Sequence, residues 1–131
     1  MRGDMIPILT DLNPREADFL MIAIFVRLQH QRADEAKVLI DGAMAAGLRT
    51  PEIVFASAVA ENTLGDHAAA LDAVALCEEV EPAKVNLGAK TRRRIRMRSY
   101  IKARSLFALH GDLNEEGRAA LDFYMRQSAT P

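Results

Sequence analysis

An all-α fold, built of helix pairs stacked side by side, is what this sequence predicts. Three features carry the prediction. Apolar residues recur at helical spacing along several segments, Gly, Pro and Asp stand at the points between them, and two stretches match each other 34 residues apart. Half of the 131 residues are hydrophobic, which suits one packed domain and is too many for a disordered chain. Much of that share is Ala, a strong helix former with little bulk. With five Phe, two Tyr and no Trp, the helices are expected to meet through small residues.

The elements follow in order. Residues 1–16 read as a loose lead-in, because Pro7 and Pro14 discourage a long helix there. A first helix is expected from Ala17 to Gln31. Its apolar centre could pass for a buried strand, but its length, its Ala, Met and Leu, and its lack of internal turn residues select helix. A turn near Arg32–Asp34 leads to a second helix with Ala36, Leu39, Ile40, Ala43 and Met44 on one face. Asp34 is placed to cap its start and Gly47 to end it in the left-handed conformation.

Thr50 and Pro51 open a third helix as N-cap and first helical residue, and Gly65 closes it after Leu64. Asp66 caps a fourth helix, which carries Ala70, Leu71, Val74 and Cys77 on one face and stops before Pro82. Residues 83–89 form a connector. A long helix is expected from about Lys90 to His110, with Ile101, Leu106 and Phe107 among its buried positions. Gly111 and Asp112 repeat the turn of Gly65 and Asp66. A last helix starts near Asn114 and carries Leu121, Tyr124 and Met125, with Glu115 and Glu116 at its positive end. Residues 128–131 form a frayed tail.

The internal match is specific. Gly65-Asp66, Ala70, Cys77 and Pro82 in the second unit correspond to Gln31-Arg32, Ala36, Ala43 and Leu48 in the first. This pattern resembles the tetratricopeptide repeat. The resemblance implies three helix pairs stacked as a short right-handed superhelix, with the first helix of each pair lining the concave side. It places one domain at 17–127, with units at about 17–50, 51–84 and 97–127. Gly111 follows Gly65 by 46 residues, so a basic insert at about 85–96 is expected before the third unit. Glu116 stands where a small residue belongs and Gly117 follows it. Either the last turn is longer or the last helix acts as a cap.

The same resemblance assigns a partner-binding groove. Its lining is expected to be Met21, Phe25 and Leu28 in the first unit, Phe55, Val59 and Asn62 in the second, and Ile101, Ser105 and Leu109 in the third. Seven of these nine are apolar, so the surplus stripe must meet something. That could be an amphipathic helix or apolar strand of a protein partner, the chain's own ends, or a second copy in a homodimer. A clamp for a peptide carboxylate, which some family members build from Lys and Asn, is not expected at positions so apolar.

Charge is the second feature. Nine basic residues and no acidic one lie between Lys84 and Arg104, and the remaining residues balance to −10. Lys90, Arg92, Arg93, Arg94, Arg96 and Arg98 form the expected basic patch, wrapped round the start of a helix whose positive end disfavours them. An acidic protein, a lipid surface, nucleic acid, or pairing with the acidic first two units would each answer it. Nucleic acid is disfavoured, since no aromatic is interleaved before Tyr100 and the whole chain carries −1.

No catalytic motif is legible. His30, His67 and His110 fall at turns of different units, too far apart to converge on zinc, and no cofactor or metal is expected. The single cysteine, Cys77, sits in a small-residue packing slot. It allows no internal disulfide and makes a reducing, cytoplasmic setting the default. No signal-peptide stretch opens the chain, and the longest apolar run, Phe19 to Val26, has eight residues, too few to span a bilayer.

A narrower resemblance rests on Asp18-Phe19-Leu20-Met21, Arg27-Leu28-Gln29, Glu35-Ala36 and Leu39-Ile40-Asp41, and on Gly111-Asp112-Leu113-Asn114 with Phe123-Tyr124. These are similar to the small tetratricopeptide chaperones of bacterial type III secretion. The likeness implies a clasp round an amphipathic helix of a needle subunit or export-apparatus substrate, with a second small chaperone alongside. The expected function is therefore a chaperone or adaptor. The alternative is a scaffolding or regulatory module that uses 84–104 to bind an anionic partner or nucleic acid.

Overall fold

The structure is a computed structural model that describes residues 13–84 and 87–129, with side chains to 126. Every regular element among them is helical: α1 Pro14–Gln29, α2 Ala33–Ala45, α3 Pro51–Leu64, α4 His67–Val80, α5 Ala89–His110 and α6 Glu115–Ala129. None is long and apolar enough to cross a membrane.

Pro14 begins α1 instead of excluding it. The proline takes the first helical position, where its missing N–H costs nothing. Asn13 completes a capping box: its Oδ1 accepts from the Glu16 N–H at 2.8 Å, and Glu16 Oε1 accepts from the Asn13 N–H at 3.1 Å. The predicted lead-in therefore ends at 13 at the latest, and its first twelve residues lie outside the described ones. Asp34 does not cap α2. The cap position is Arg32, without a side-chain hydrogen bond, and Asp34 lies in the first turn. Thr50, Gly65 and Asp66 occupy their predicted places: Thr50 accepts from Ile53, Asp66 accepts from Ala69, and Gly65 is left-handed.

Each helix pair turns through the same backbone conformation. Gln31, Gly65 and Gly111 have φ of 64°, 83° and 82°. The third turn is longer, as one of the two sequence alternatives required. Asp112 does not cap α6; Asn114 does, accepting from the Gly117 N–H at 2.8 Å. The delay brings Gly117 into the buried small-residue slot in place of Glu116, and a Cβ there would meet Leu113 at 3.1 Å.

The helices pack as stacked pairs in a repeat arrangement. α3 touches α1, α2, α4 and α5, while among the described residues the backbones of α2, α4 and α6 do not approach one another. α1, α3 and α5 therefore form one row of touching helices, and α2, α4 and α6 a second row beside it whose members stay apart. α3 is the centre. Ile53, Ala56 and Ala60 join a core with Ile24, Ala36, Ile40 and Ala43. Val54 and Ala58 face a second core with Ala70, Val74, Cys77 and Ile101. Its run of alanines lets neighbours approach on both faces, and Met44 packs against both cores. Ile24, Ile40, Ile53 and Val54 are essentially fully buried, each contributing about 1.5–3 kcal/mol. Phe107, expected among the buried positions of α5, is 53% exposed.

Candidate functional site

The site starts from α1, which is apolar nearly all round. Met21, Phe25 and Leu28 lie half-buried against the first core. Its opposite face leaves Phe19 72% and Ile22 60% exposed. A helix apolar on every side is built to be covered on every side, and the described residues cover only one.

On the side formed by the touching row, Phe25 of α1 and Phe55 of α3 meet Met97 of α5 across an open pocket of about 360 Å³. Glu52, Lys90, Arg93 and Arg94 complete its lining. The volume is at the small end for ligand sites, of which typical ones hold about 300–1,000 Å³, so it admits anchor side chains rather than a whole helix. Phe25, Phe55 and Met97 are half-buried and form its floor, while the exposed Lys90 and Arg93 stand at its rim.

Two of the nine predicted groove residues, Phe25 and Phe55, therefore share this pocket. Met21, Leu28 and Val59 are half-buried core-packing residues outside its lining. Asn62 is half-buried, and its Oδ1 has no hydrogen-bond partner. The third-unit choices need correction. Ile101 and Ser105 are 2% and 0% exposed and belong to the interior, while Leu109 is 47% exposed near the far end of α5. The face of α5 that reaches the cleft is Lys90, Arg93, Arg94 and Met97, at i, i+3, i+4 and i+7. Met97 lies one turn before Ile101 on the same stripe. The missed turns are those read as a basic insert; residues 89–96 are helical and open α5.

The predicted basic patch divides. Arg98 is 4% exposed and is not surface at all. Its Nη1 donates to the carbonyl oxygens of Cys77 at 3.2 Å and Glu81 at 2.8 Å, so α5 supplies the cap for the C-terminal end of α4. Arg94 makes a two-pronged pair with Glu81, at 2.9 and 2.7 Å, and reaches Glu52 at 4.0 Å. The hydrogen bond from Arg94 holds the Glu81 carboxyl below its ordinary value. Arg96 lies 4.4 Å over the Tyr124 ring, which packs on Tyr100. Arg92 donates to the Leu87 carbonyl. Lys90 and Arg93 remain exposed, with no ion-pair partner among the described residues. Internal pairing with the acidic second unit thus absorbs part of the basic segment, and the cleft rim receives another part.

Cys77 is buried, and that burial pushes its thiol up to about 11, away from nucleophilic chemistry. His30, His67 and His110 stand at separate helix ends. No group of three or more His, Cys, Asp or Glu among the described residues is placed to hold a metal.

No protein-family model matches this chain, and neither a curated protein nor a solved structure matches it.

Proposed function

We propose that this protein is a binding module, an adaptor or chaperone that holds an amphipathic helix of a protein partner against its concave face. The observation that carries this reading is the meeting of Phe25, Phe55 and Met97 from the three inner helices at one open pocket. Aromatic and Met side chains held half-buried on rigid helices are the usual anchors of helix-in-groove recognition. A guest that inserts two or three apolar side chains there removes its own oily face and theirs from water, which is the main driving force. The repeat arrangement of helix pairs supports the tetratricopeptide reading of the sequence, and with it a concave surface given to binding. A secretion chaperone is one protein of this kind, and its guest would be a helical secretion substrate.

The test uses a displayed library of helical peptides panned against the full chain. Selected sequences should share apolar residues at i, i+4 and i+7. Phe55→Asp and Phe25→Asp should each lose the selected peptides by tenfold or more while far-UV helicity and a cooperative melt persist. Unchanged affinity in both folded variants would remove this pocket from the function.

A further inference from the structure

We infer that the guest of this cleft is an acidic amphipathic helix, recognised by Lys90 and Arg93 at the rim beside the apolar floor of Phe25, Phe55 and Met97. The inference rests on the proposed binding role of the cleft and specifies the chemistry of what fills it.

Three observations carry it. The first is placement: Lys90 and Arg93 line the same pocket as the three apolar side chains and have no ion-pair partner among the described residues. The neighbouring cation Arg94 is already held by Glu81, and Glu52, the one carboxylate in the lining, faces Arg94. Glu52 therefore leaves the positive sign at Lys90 and Arg93 standing.

The second is an electrostatic cost. Lys90 lies in the first turn of α5, which contains no acidic residue, and the cap position is Gly88, with no side chain to accept from the open N–H groups. A helix start is positive, and cations there are unfavourable. Arg92 and Arg93 crowd the next turn. Two cations elsewhere on the helices show the alternative: Lys102 lies between Glu78 and Glu116, and Lys37 between Asp41 and Glu61. At the cleft the positive field is left open, and carboxylates of a guest would meet both the side chains and the helix end.

The third is the floor. A nucleic-acid duplex keeps its base faces inside the stack, and a lipid headgroup carries its apolar part in the bilayer, so either offers phosphate without an apolar face to set on Phe25, Phe55 and Met97. An amphipathic helix with Asp or Glu flanking its apolar stripe satisfies floor and rim together.

Two synthetic helical peptides with one shared Leu stripe at i, i+4 and i+7 test this, one flanked by Glu and one by Lys, measured by fluorescence anisotropy. The native chain should bind the Glu peptide roughly three- to tenfold more tightly, from the two rim charge pairs. The preference should shrink with added salt. Lys90→Glu with Arg93→Glu should reverse it and leave the fold intact, since both residues are exposed. Equal binding of the two peptides by the native chain, or a preference unmoved by the charge reversal, overturns the acidic guest while the cleft stands. Failure to bind either peptide sinks the cleft reading itself. Phosphatidylserine vesicles form the last arm. Co-sedimentation of the native chain that the double variant abolishes would assign the rim to a membrane instead.

Discussion

At Gln31 the backbone takes φ of 64°, a left-handed value that Gly65 and Gly111 reach at 83° and 82° without a Cβ. A side chain in that region costs about 1–2 kcal/mol, which only the demand of the turn between α1 and α2 explains. Gln31→Gly should therefore stabilise the chain by roughly 0.5–1 kcal/mol, seen as a higher urea midpoint at unchanged slope. A lowered midpoint would mean that Gln31 makes a compensating contact. The 34-residue match placed Gln31 opposite Gly65, yet the residue type gave no hint of the conformation. Asp34 shows the reverse case. It has the chemistry of a cap, but the cap position is Arg32, so Asp34 falls two residues too late to accept from the helix N–H groups.

The helices are tied together by residues that the linear chain presents as one block of charge. Arg98 caps α4 from α5, and Arg94 clamps Glu81 just beyond α4. Replacing Arg98 with Met keeps much of the volume but removes the donor to the Glu81 carbonyl, while the Cys77 carbonyl keeps the Glu81 N–H. Arg98→Met should lose about 1–3 kcal/mol by urea denaturation and leave peptide affinity in the surviving native fraction unchanged. A neutral result would deny the cap. Glu81 gives a pH dependence of defined sign. Its folded value lies below the ordinary 4.5, so its pairing stabilises the fold above that pH and is lost as pH falls through the folded value. Glu81→Gln should be less stable at pH 7 and should lose less on acidification from pH 5 downward. Parallel stability curves for parent and variant would count against the Arg94 pair. The length of α5 was largely legible; its roles were not. Arg and Lys are good helix formers, so a run of them extends a helix readily, and only packing decides which point inward.

At the scale of the whole molecule, the stack sorts charge. Residues outside 84–104 balance to −10, and the basic segment is drawn onto them through Arg94 and Arg98 while its first turn is left at the open cleft. This arrangement sets stability against recognition. Acidic residues at the start of α5 would suit the helix dipole better than the cations present. Lys90→Glu with Arg93→Glu should thus raise Tm as it weakens capture of an acidic peptide. A fall in both together would point to a structural duty for these two residues and against a recognition role. The apolar surface of α1 has the same logic, since Phe19 and Ile22 stay open where solvent contact gains nothing for the fold.

Much of the fold was legible in local chemistry. Apolar residues at helical spacing, Pro51 after Thr50, Gly65 before Asp66 and Ala36 matched to Ala70 follow from propensity and turn geometry, which act over a few residues. They determined six helices in three pairs and the small-residue contacts between them. Phe25 and Phe55 were also legible as one apolar stripe. The rest depended on how α5 rotates and where it begins against α3 and α4. That rotation buried Ser105 and Arg98, and turned Met97, Lys90 and Arg93 to the cleft. No local rule fixes it, because a helix with cations on every face has no single polar side. Burial against distant neighbours selects the face, and burial exists only once the chain has folded.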